Sequence, residues 1–345
     1  MLLISLRDLQ WRRRRFVIAV LATGLVFGIT LLLSGMNSGF QNEIVRTVDA
    51  FHTDSFVVPT GAPGPFTTSA AFPTSVARQV ARSPGVRAAD PMVVTRITLA
   101  RATPVDVIVF GTVIGGLAPQ ATSGRNPRRS GELVADSKMG VGIGQVVTLS
   151  GRAFHVVGTY DGLTVLGGQP TAVMPIQDAR AISFANQPLA TSILTRGVPS
   201  SVPAGFKAQS PSQAVGDLQR PLKNATGTIG FLNALLWVIA AGIIGSIVYL
   251  TVIERQRDFA VLKATGFASV GLFVSLALEA VVIAIAAAIV ATVMALALHG
   301  SLALDVEIST GTYVGLVGIA VAVGVLASLV GLRRAVGVDP ALAFG

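Results

Sequence analysis

Apolar positions along this chain gather into four long runs, Phe16–Met36, Ile229–Ile253, Val270–Leu298 and Thr312–Leu332. Each run, as a helix, is long enough to cross the ~30 Å of bilayer hydrocarbon, which takes roughly 20 residues. The first follows "WRRRR", as a secretory signal would. Its apolar length exceeds that of a signal core and no small-residue cleavage site follows, so it is expected to stay as an uncleaved span. Between the first two runs the texture changes to short apolar stretches broken by Gly, Pro, Asp and Asn. "DSFVVP", "MVVTRITLA", "VDVIVFGTV", "QVVTLSG", "RAFHVVGTY" and "TSILTRG" predict strands. "TSVARQVARSPGV" and "PIQDARAISFA" predict helices, and "PTGAPGPFTTSAAFP" predicts a mobile surface loop. The pattern therefore predicts a membrane protein with four transmembrane helices, one plus three. An α+β domain, large enough for a core of its own, is inserted between helices 1 and 2.

Charge sets the expected orientation. Arg7, Arg12, Arg13, Arg14 and Arg15 precede the first run, Arg255, Arg257 and Lys263 lie between the second and third, and Arg333 and Arg334 follow the fourth. The stretch "HGSLALDVEISTG" between the third and fourth runs has Asp305 and Glu307 but no Lys or Arg. Positive flanks stay on the cytoplasmic side. The expected order is a cytoplasmic amphipathic helix 1–15, span 16–36, extracytoplasmic domain 37–228, span 229–253 and cytoplasmic segment 254–269. Span 270–298, outer loop 299–311, span 312–332 and cytoplasmic tail 333–345 complete it. Leu2, Leu6, Leu9 and Trp11 can share the lipid-facing side of the first helix, with the arginines at the headgroups. The location is then the plasma (inner) membrane, multi-pass, with both termini cytoplasmic.

Composition agrees and narrows the chemistry. The chain is 52% hydrophobic and 12% charged, with mean hydropathy +0.69. The local clusters of its +9 net charge lie mostly beside apolar runs, which points to anionic lipid rather than nucleic acid. It has no cysteine, so disulfides, thiol catalysis and Cys-based metal sites are excluded. No G-x-x-x-x-G-K-[ST], H-E-x-x-H, G-x-S-x-G or EF-hand pattern occurs, and the three histidines His52, His155 and His299 are scattered. No catalytic, cofactor-binding or metal site is expected on this polypeptide.

Small residues recur at four-residue spacing in the spans: Gly24 and Gly28, Gly242 and Ser246, Gly324 and Ser328. Such pairs allow close helix packing, and four spans are few for one unit, so a second copy is an expected partner. Glu279 stands within the third run, about 13 Å along its axis. A charge at that depth needs a partner, a wet cavity or a proton. It either serves an interface or conduit, or is a structural carboxylate bonded to a neighbouring hydroxyl; the sequence leaves both open.

The segment Val252–Gly266, "VIERQRDFAVLKATG", packs charge between two apolar runs. It predicts a short amphipathic helix continuous with the second span. Glu254 and Arg257 can pair at i,i+3, and Phe259 and Leu262 form an apolar ridge. Gly266 is the expected stop and Ser269 the cap of the third span. A solvated connection has no use for an apolar ridge, so lipid or a cytoplasmic partner is expected to cover it.

"ERQRDFAVLKATGFASVGLFVSLALEAVVIA" resembles the signature of FtsX/MacB-type ABC transporter permeases. Glu254, Arg255, Asp258, Lys263, Ala264, Gly266, Glu279 and Ala280 match its charged segment and its L-x-E-A span. The resemblance extends to "LRDLQWRRRRFVIAVLATGLVFG" at the start, to "SPGVRAADPMV" and "GELVADSKMGVGIGQVVTLSGRAFHVVGTYDG" in the inserted domain, and to the tail "VGVDPALAFG". Within the family the chain looks most like actinobacterial single-domain permeases, sometimes labelled amino-acid (glutamine) permeases. The resemblance implies a non-catalytic membrane subunit that works as a dimer with a separate ATPase, ATP and Mg being bound there. It makes Glu254, Arg255, Asp258, Phe259, Leu262, Lys263 and Gly266 the ATPase-coupling residues. The expected activity is export or extraction of a hydrophobic or amphipathic substrate. The alternative is an FtsX-like regulator that activates an extracytoplasmic cell-wall hydrolase; the size of the inserted domain favours transport.

Overall fold

The computed structural model describes residues 13–99, 104–254, 261, 269–298 and 310–336. It resolves into two compact units, one of Met1–Gly39 with Ala225–Gly345 and one of Phe40–Asn224.

The first unit is helical. Helix α1 spans Arg13–Ala50, α4 Pro211–Glu254, α5 Ser269–Leu298 and α6 Thr310–Val336. Among the described residues three helices are long and apolar enough to span a bilayer: Phe16–Ala50, Pro211–Glu254 and Val274–Leu298; α6 adds a shorter apolar stretch, Gly311–Leu326. Alanines drive the packing. Ala280, Ala284, Ala287, Ala288, Ala291 and Ala295 line the buried face of α5 against Phe27 and Leu31 of α1, Ile244 and Val248 of α4, and Leu316 and Ala320 of α6. The rings of Phe27 and Trp237 lie 5.2 Å apart, and Asn233 Nδ2 donates to Ser34 Oγ at 3.1 Å. The outward faces are also apolar: Ile18, Leu21, Phe231, Val238, Ile289, Val293 and Val314 are all exposed. A unit apolar inside and out is built for lipid.

The second unit is a mixed sheet. Its strands are β1 (Ser55–Pro59), β2 (Phe72–Pro73), β3 (Ala88–Leu99), β4 (Val105–Thr112), β5 (Ser123–Gly124), β6 (Glu132–Asp136) and β7 (Val146–Leu149). They continue with β8 (Arg152–Tyr160), β9 (Thr164–Val165), β10 (Gln169–Pro175), β11 (Leu189–Ala190), β12 (Ser192–Arg196) and β13 (Phe206–Gln209). The main order is β13-β1-β12-β3-β4-β10-β6-β8-β5, with β7 on β8 and β9 on β10; β11 pairs β2 separately. β10 runs parallel to β4, and β6 to β8; the other pairs are antiparallel. Helices α2 (Ser75–Val80) and α3 (Ile176–Ser183) complete the unit. The expected helix at 74–86 is thus shorter: after Val80 the chain closes with tight turns, Arg82 N to Gln79 O and Ser83 N to Val80 O, before Pro84.

The central strands bury both faces, since successive side chains point to opposite sides. In β4, Ile108 and Phe110 enter one core while Val107 and Val109 enter the other; β6 and β10 divide likewise at Val134 and Val173 against Leu133, Ala135, Ala172 and Met174. Two helical segments cover the first core. Ile44, Val48 and Phe51 sit at the C-terminal end of α1 and just beyond it, and Ala214 and Leu218 at the N-terminal end of α4. These segments, 37–50 and 211–228, read in sequence as part of the inserted domain; they are continuations of the long helices. Within α4, Pro221 has no N–H to offer the carbonyl of Asp217 four residues earlier.

Candidate functional site

Of the residues expected to couple to an ATPase, Arg255, Asp258, Phe259, Leu262, Lys263 and Gly266 lie outside the described residues. Glu254 is the last residue of α4 and is exposed; Val261 is helical and exposed, and Ser269 opens α5. Residues 1–12, the loop 299–309 with His299, and the tail 337–345 also lie outside.

Glu279 is half-buried on α5, opposite the last turn of α4. Its Oε1 lies 3.3 Å from Thr251 Oγ1, which is also 3.0 Å from Ile247 O, so one hydroxyl proton is shared between two acceptors. Thr251 is itself buried. A neighbouring-helix hydroxyl is thus one partner of Glu279.

The small-residue pairs separate by use. A Cβ on Gly24 would lie 2.9 Å from Val290 Cγ1 and 3.2 Å from Ala287 O; one on Gly324 would lie 3.1 Å from the Ala280 and Val281 backbone. Gly28 faces Met294. These three are buried where α1 meets α5 and α5 meets α6. Gly242 and Ser246 are exposed on α4, and among the described residues nothing outside its own helix backbone lies within 4 Å of a Cβ placed on Gly242. The Ser328 side chain lies outside the description.

In the sheet unit, two buried carboxylates tie the helical segments to irregular chain. Asp217 on α4, 1% exposed, accepts from Phe66 N at 2.9 Å, Thr67 N at 3.1 Å and Thr67 Oγ1. This overturns the expectation of a mobile surface loop at 59–73. Phe66 from that loop is buried, with its ring 5.5 Å from Phe51, 5.4 Å from Phe56 and 5.9 Å from Phe110. Phe66 joins the other three rings into one cluster, which gains more than a solvated loop would. Glu43 on α1 accepts from Gly167 N at 3.2 Å and Gly168 N at 3.0 Å, and Thr47 Oγ1 donates to Thr164 O at 2.6 Å. Leu166, Gly167 and Gly168 all have positive φ, a run that turns successive N–H groups toward one anion.

A third cluster is local in sequence. Arg125 donates from both terminal guanidinium nitrogens, Nη1 and Nη2, to Glu132, each at 2.7 Å; Arg128 N adds 2.9 Å and Arg129 Nε 3.0 Å. The bidentate Arg125 contact holds the Glu132 carboxyl down at about 2, against the opposing pull of its burial. Next along β6, burial pushes Asp136 up to about 6 despite the hydrogen bond from Lys138 N. The two carboxyls act with opposite sign. Glu132 contributes stability that is lost as pH falls from its ordinary value toward 2. Asp136 binds its proton more tightly when folded, so stability declines as pH rises from about 4 through 6. A displacement of that size is worth ~3 kcal/mol between protonation states. Thermal unfolding of Asp136→Asn, in which the side-chain oxygen can still accept from Lys138 N, is expected to lose the decline between pH 4.5 and 6 and keep the acid loss below 4.5. A pH profile identical to the parent's would remove Asp136 from this role.

No three metal-ligating side chains come together among the described residues. His155 is exposed on β8 and His52 is exposed with Nδ1 2.7 Å from Asp49 O.

Residues 16–209 match the family described as MacB-like periplasmic core domain, and residues 230–340 that described as FtsX-like permease C-terminal. Across 347 aligned residues the chain is 41% identical to an uncharacterized ABC transporter permease of Mycobacterium tuberculosis (strain ATCC 25618 / H37Rv), covering all of this chain and 99% of that one. The chain belongs to the FtsX/MacB-type ABC transporter permeases. A permease of Mycobacterium bovis (strain ATCC BAA-935 / AF2122/97), also uncharacterized, has the same identity and coverage. Among solved structures, the periplasmic region of MacB from Actinobacillus actinomycetemcomitans covers 52% of this chain and 98% of its own, at 11% identity and TM-score 0.36. The extracellular domain of the ABC-type transporter YknZ covers 46% and 99%, at 12% and 0.34. As a permease of this type, the chain is a membrane protein whose α+β sheet unit is extracytoplasmic.

Proposed function

We propose that this permease is the non-catalytic membrane subunit of an ABC transporter, coupling ATP hydrolysis on a separate ATPase to its extracytoplasmic domain. The substrate is a hydrophobic or amphipathic molecule exported or extracted from the membrane. ATP and Mg bind the partner; this chain supplies the contact, through Glu254, Arg255, Asp258, Phe259, Leu262, Lys263 and Gly266. The observation that carries the reading is full-length kinship with ABC transporter permeases in a chain without a Walker motif. Two features support a mechanical role. The C-terminal end of α1 and the N-terminal end of α4 belong to the sheet unit and pack in its first core. There, Glu43 and Asp217 bind them to chain far away in sequence.

A second copy of the chain, forming a homodimer, fits the exposed α4 face around Gly242 and Ser246, where small side chains allow close approach. Both termini and residue 261 are cytoplasmic in this reading. The natural absence of cysteine makes the topology directly testable. A cysteine at the exposed position Val261 should react with a membrane-impermeant maleimide only when the cytoplasmic face is open. One at Val198, exposed in the sheet unit, should react in intact cells. Reversed labelling would overturn the orientation. Glu279→Gln, which keeps an acceptor for Thr251, is expected to leave partner-stimulated ATPase activity within about twofold of the parent. A loss of tenfold or more would make Glu279 part of a conduit instead.

A further inference from the structure

The sheet unit contains a cleft of about 460 Å³ that the coupling reading does not use. Its floor is the parallel pair β4 and β10, at Thr112 and at Val173, Met174 and Pro175; its rim is the turn Val113–Gly116 on one side and the loop 125–128 on the other. From this geometry we infer that the cleft is a binding site for a small anionic amphiphile, one phosphate-type oxyanion head carrying a short apolar chain.

Charge is the first argument. The lining holds two arginines, Arg125 and Arg128, and no acidic residue. Two carboxylates bonded to residues around the cleft are already engaged. Glu132 accepts from Arg125, Arg128 N and Arg129, and Asp90 Oδ2 accepts from Leu117 N at 2.7 Å. Among the described residues the Arg128 guanidinium has no carboxylate partner. A planar donor fork left open beside a cleft suits a phosphate-type oxyanion.

Preorganisation is the second. The arginine loop is held from several sides. Asn126 Oδ1 accepts from Ala121 N at 2.8 Å and its Nδ2 donates to Pro119 O at 2.9 Å. Tyr160, buried, donates its hydroxyl to the same Pro119 O at 3.0 Å. Ser130 Oγ and Gly131 N donate to Asp178 in the first turn of α3, the latter at 3.0 Å. On the opposite rim Gly116 leaves no room for a side chain, because its Cβ would enter the Asp90 carboxylate. A loop fixed before the ligand arrives loses little freedom on binding.

The apolar half is the third. Val113, Ile114 and Ala118 give the cleft an apolar side, with Ile114 43% exposed, while Val173 and Met174 of the floor are fully buried. An apolar chain laid along this wall covers that surface while the head meets Arg128.

The test uses the full chain in nanodiscs of zwitterionic lipid and reads binding by calorimetry, so it does not depend on any ATPase. Hexyl phosphate is expected to bind at least tenfold tighter than inorganic phosphate or hexanol. Arg128→Gln, at an exposed side chain with no structural bond, should weaken hexyl phosphate about tenfold, the size of one charge-assisted hydrogen bond. Ile114→Ser should weaken hexyl phosphate and leave inorganic phosphate unchanged. Repeating the titration in nanodiscs containing phosphatidylglycerol separates the sources. Competition assigns the site to a lipid headgroup, and undiminished affinity assigns it to a soluble anion; either result upholds the site. Undetectable binding, equal affinity for hexyl and inorganic phosphate, or an Arg128→Gln titration matching the parent overturns it. Failure of ATPase coupling with hexyl phosphate binding intact would sink the proposed function alone.

Discussion

Asp217→Ala is expected to be among the most destabilising single changes in the sheet unit, costing about 3–5 kcal/mol. Its carboxylate is the acceptor for two backbone N–H groups and one hydroxyl, all in the loop 59–73. Alanine leaves those donors buried without acceptors and frees the loop that carries Phe66 into the aromatic cluster. The cost therefore has a polar part and a packing part. Asp217→Asn isolates them. The amide oxygen can still receive both N–H groups and Thr67 Oγ1 can accept from the amide nitrogen, so its loss is expected to be only ~1–2 kcal/mol. Thermal unfolding gives the magnitudes, and limited proteolysis locates the effect. New cleavage between residues 59 and 73 in Asp217→Ala is the expected signature. Equal stability of the alanine and asparagine variants would mean that the three hydrogen bonds do not hold the loop.

The second large effect is expected at Gly324. A side chain there meets the backbone of Ala280 and Val281 at 3.1 Å, and backbone in the middle of a packed helix has little room to give. Gly324→Leu should separate α5 from α6 and leave little folded protein after detergent extraction. Gly242→Leu makes the contrast: among the described residues no atom outside its own helix backbone lies within 4 Å of the added Cβ, so the subunit should fold normally. If a second copy packs on that face, Gly242→Leu should yield folded monomers in size-exclusion chromatography with light scattering. Dimers persisting in Gly242→Leu would move the subunit contact elsewhere.

Much of the architecture was legible in the sequence because membrane spans and half-buried strands leave simple signatures. The apolar runs at 16–36, 229–253 and 270–298 fall within long helices, and strands such as Arg152–Tyr160 alternate as exposed chains should. Fully buried elements left weaker traces. β6 and β10 are covered on both faces, so they lack alternation, and β10 carries prolines near each end. The helical extensions 37–50 and 211–228 are polar apart from a few apolar positions at helical spacing. That spacing, Ile44 to Val48 and Ala214 to Leu218, was the available signal.

The candidate sites divide in the same way. The Arg125–Glu132 cluster spans eight residues, and "GRNPRRSGE" advertises it through four charges in nine positions. Asp217 and the loop it binds are separated by about 150 residues, as Glu43 and its glycines are by about 125, so no local pattern reveals either. The proposed coupling segment rests on local sequence alone: Phe259 and Leu262 stand beside dense charge, and both lie outside the described residues.

What covers it decides the account. The direct measurement is the ATP hydrolysis rate of the partner ATPase reconstituted in vesicles with the parent chain or with the double variant Phe259→Asp, Leu262→Asp. The parent is expected to stimulate hydrolysis, and the variant, inserted to the same level, to leave the rate at that of the ATPase alone. Undiminished stimulation by the variant would contradict the claim that residues 254–266 carry the coupling.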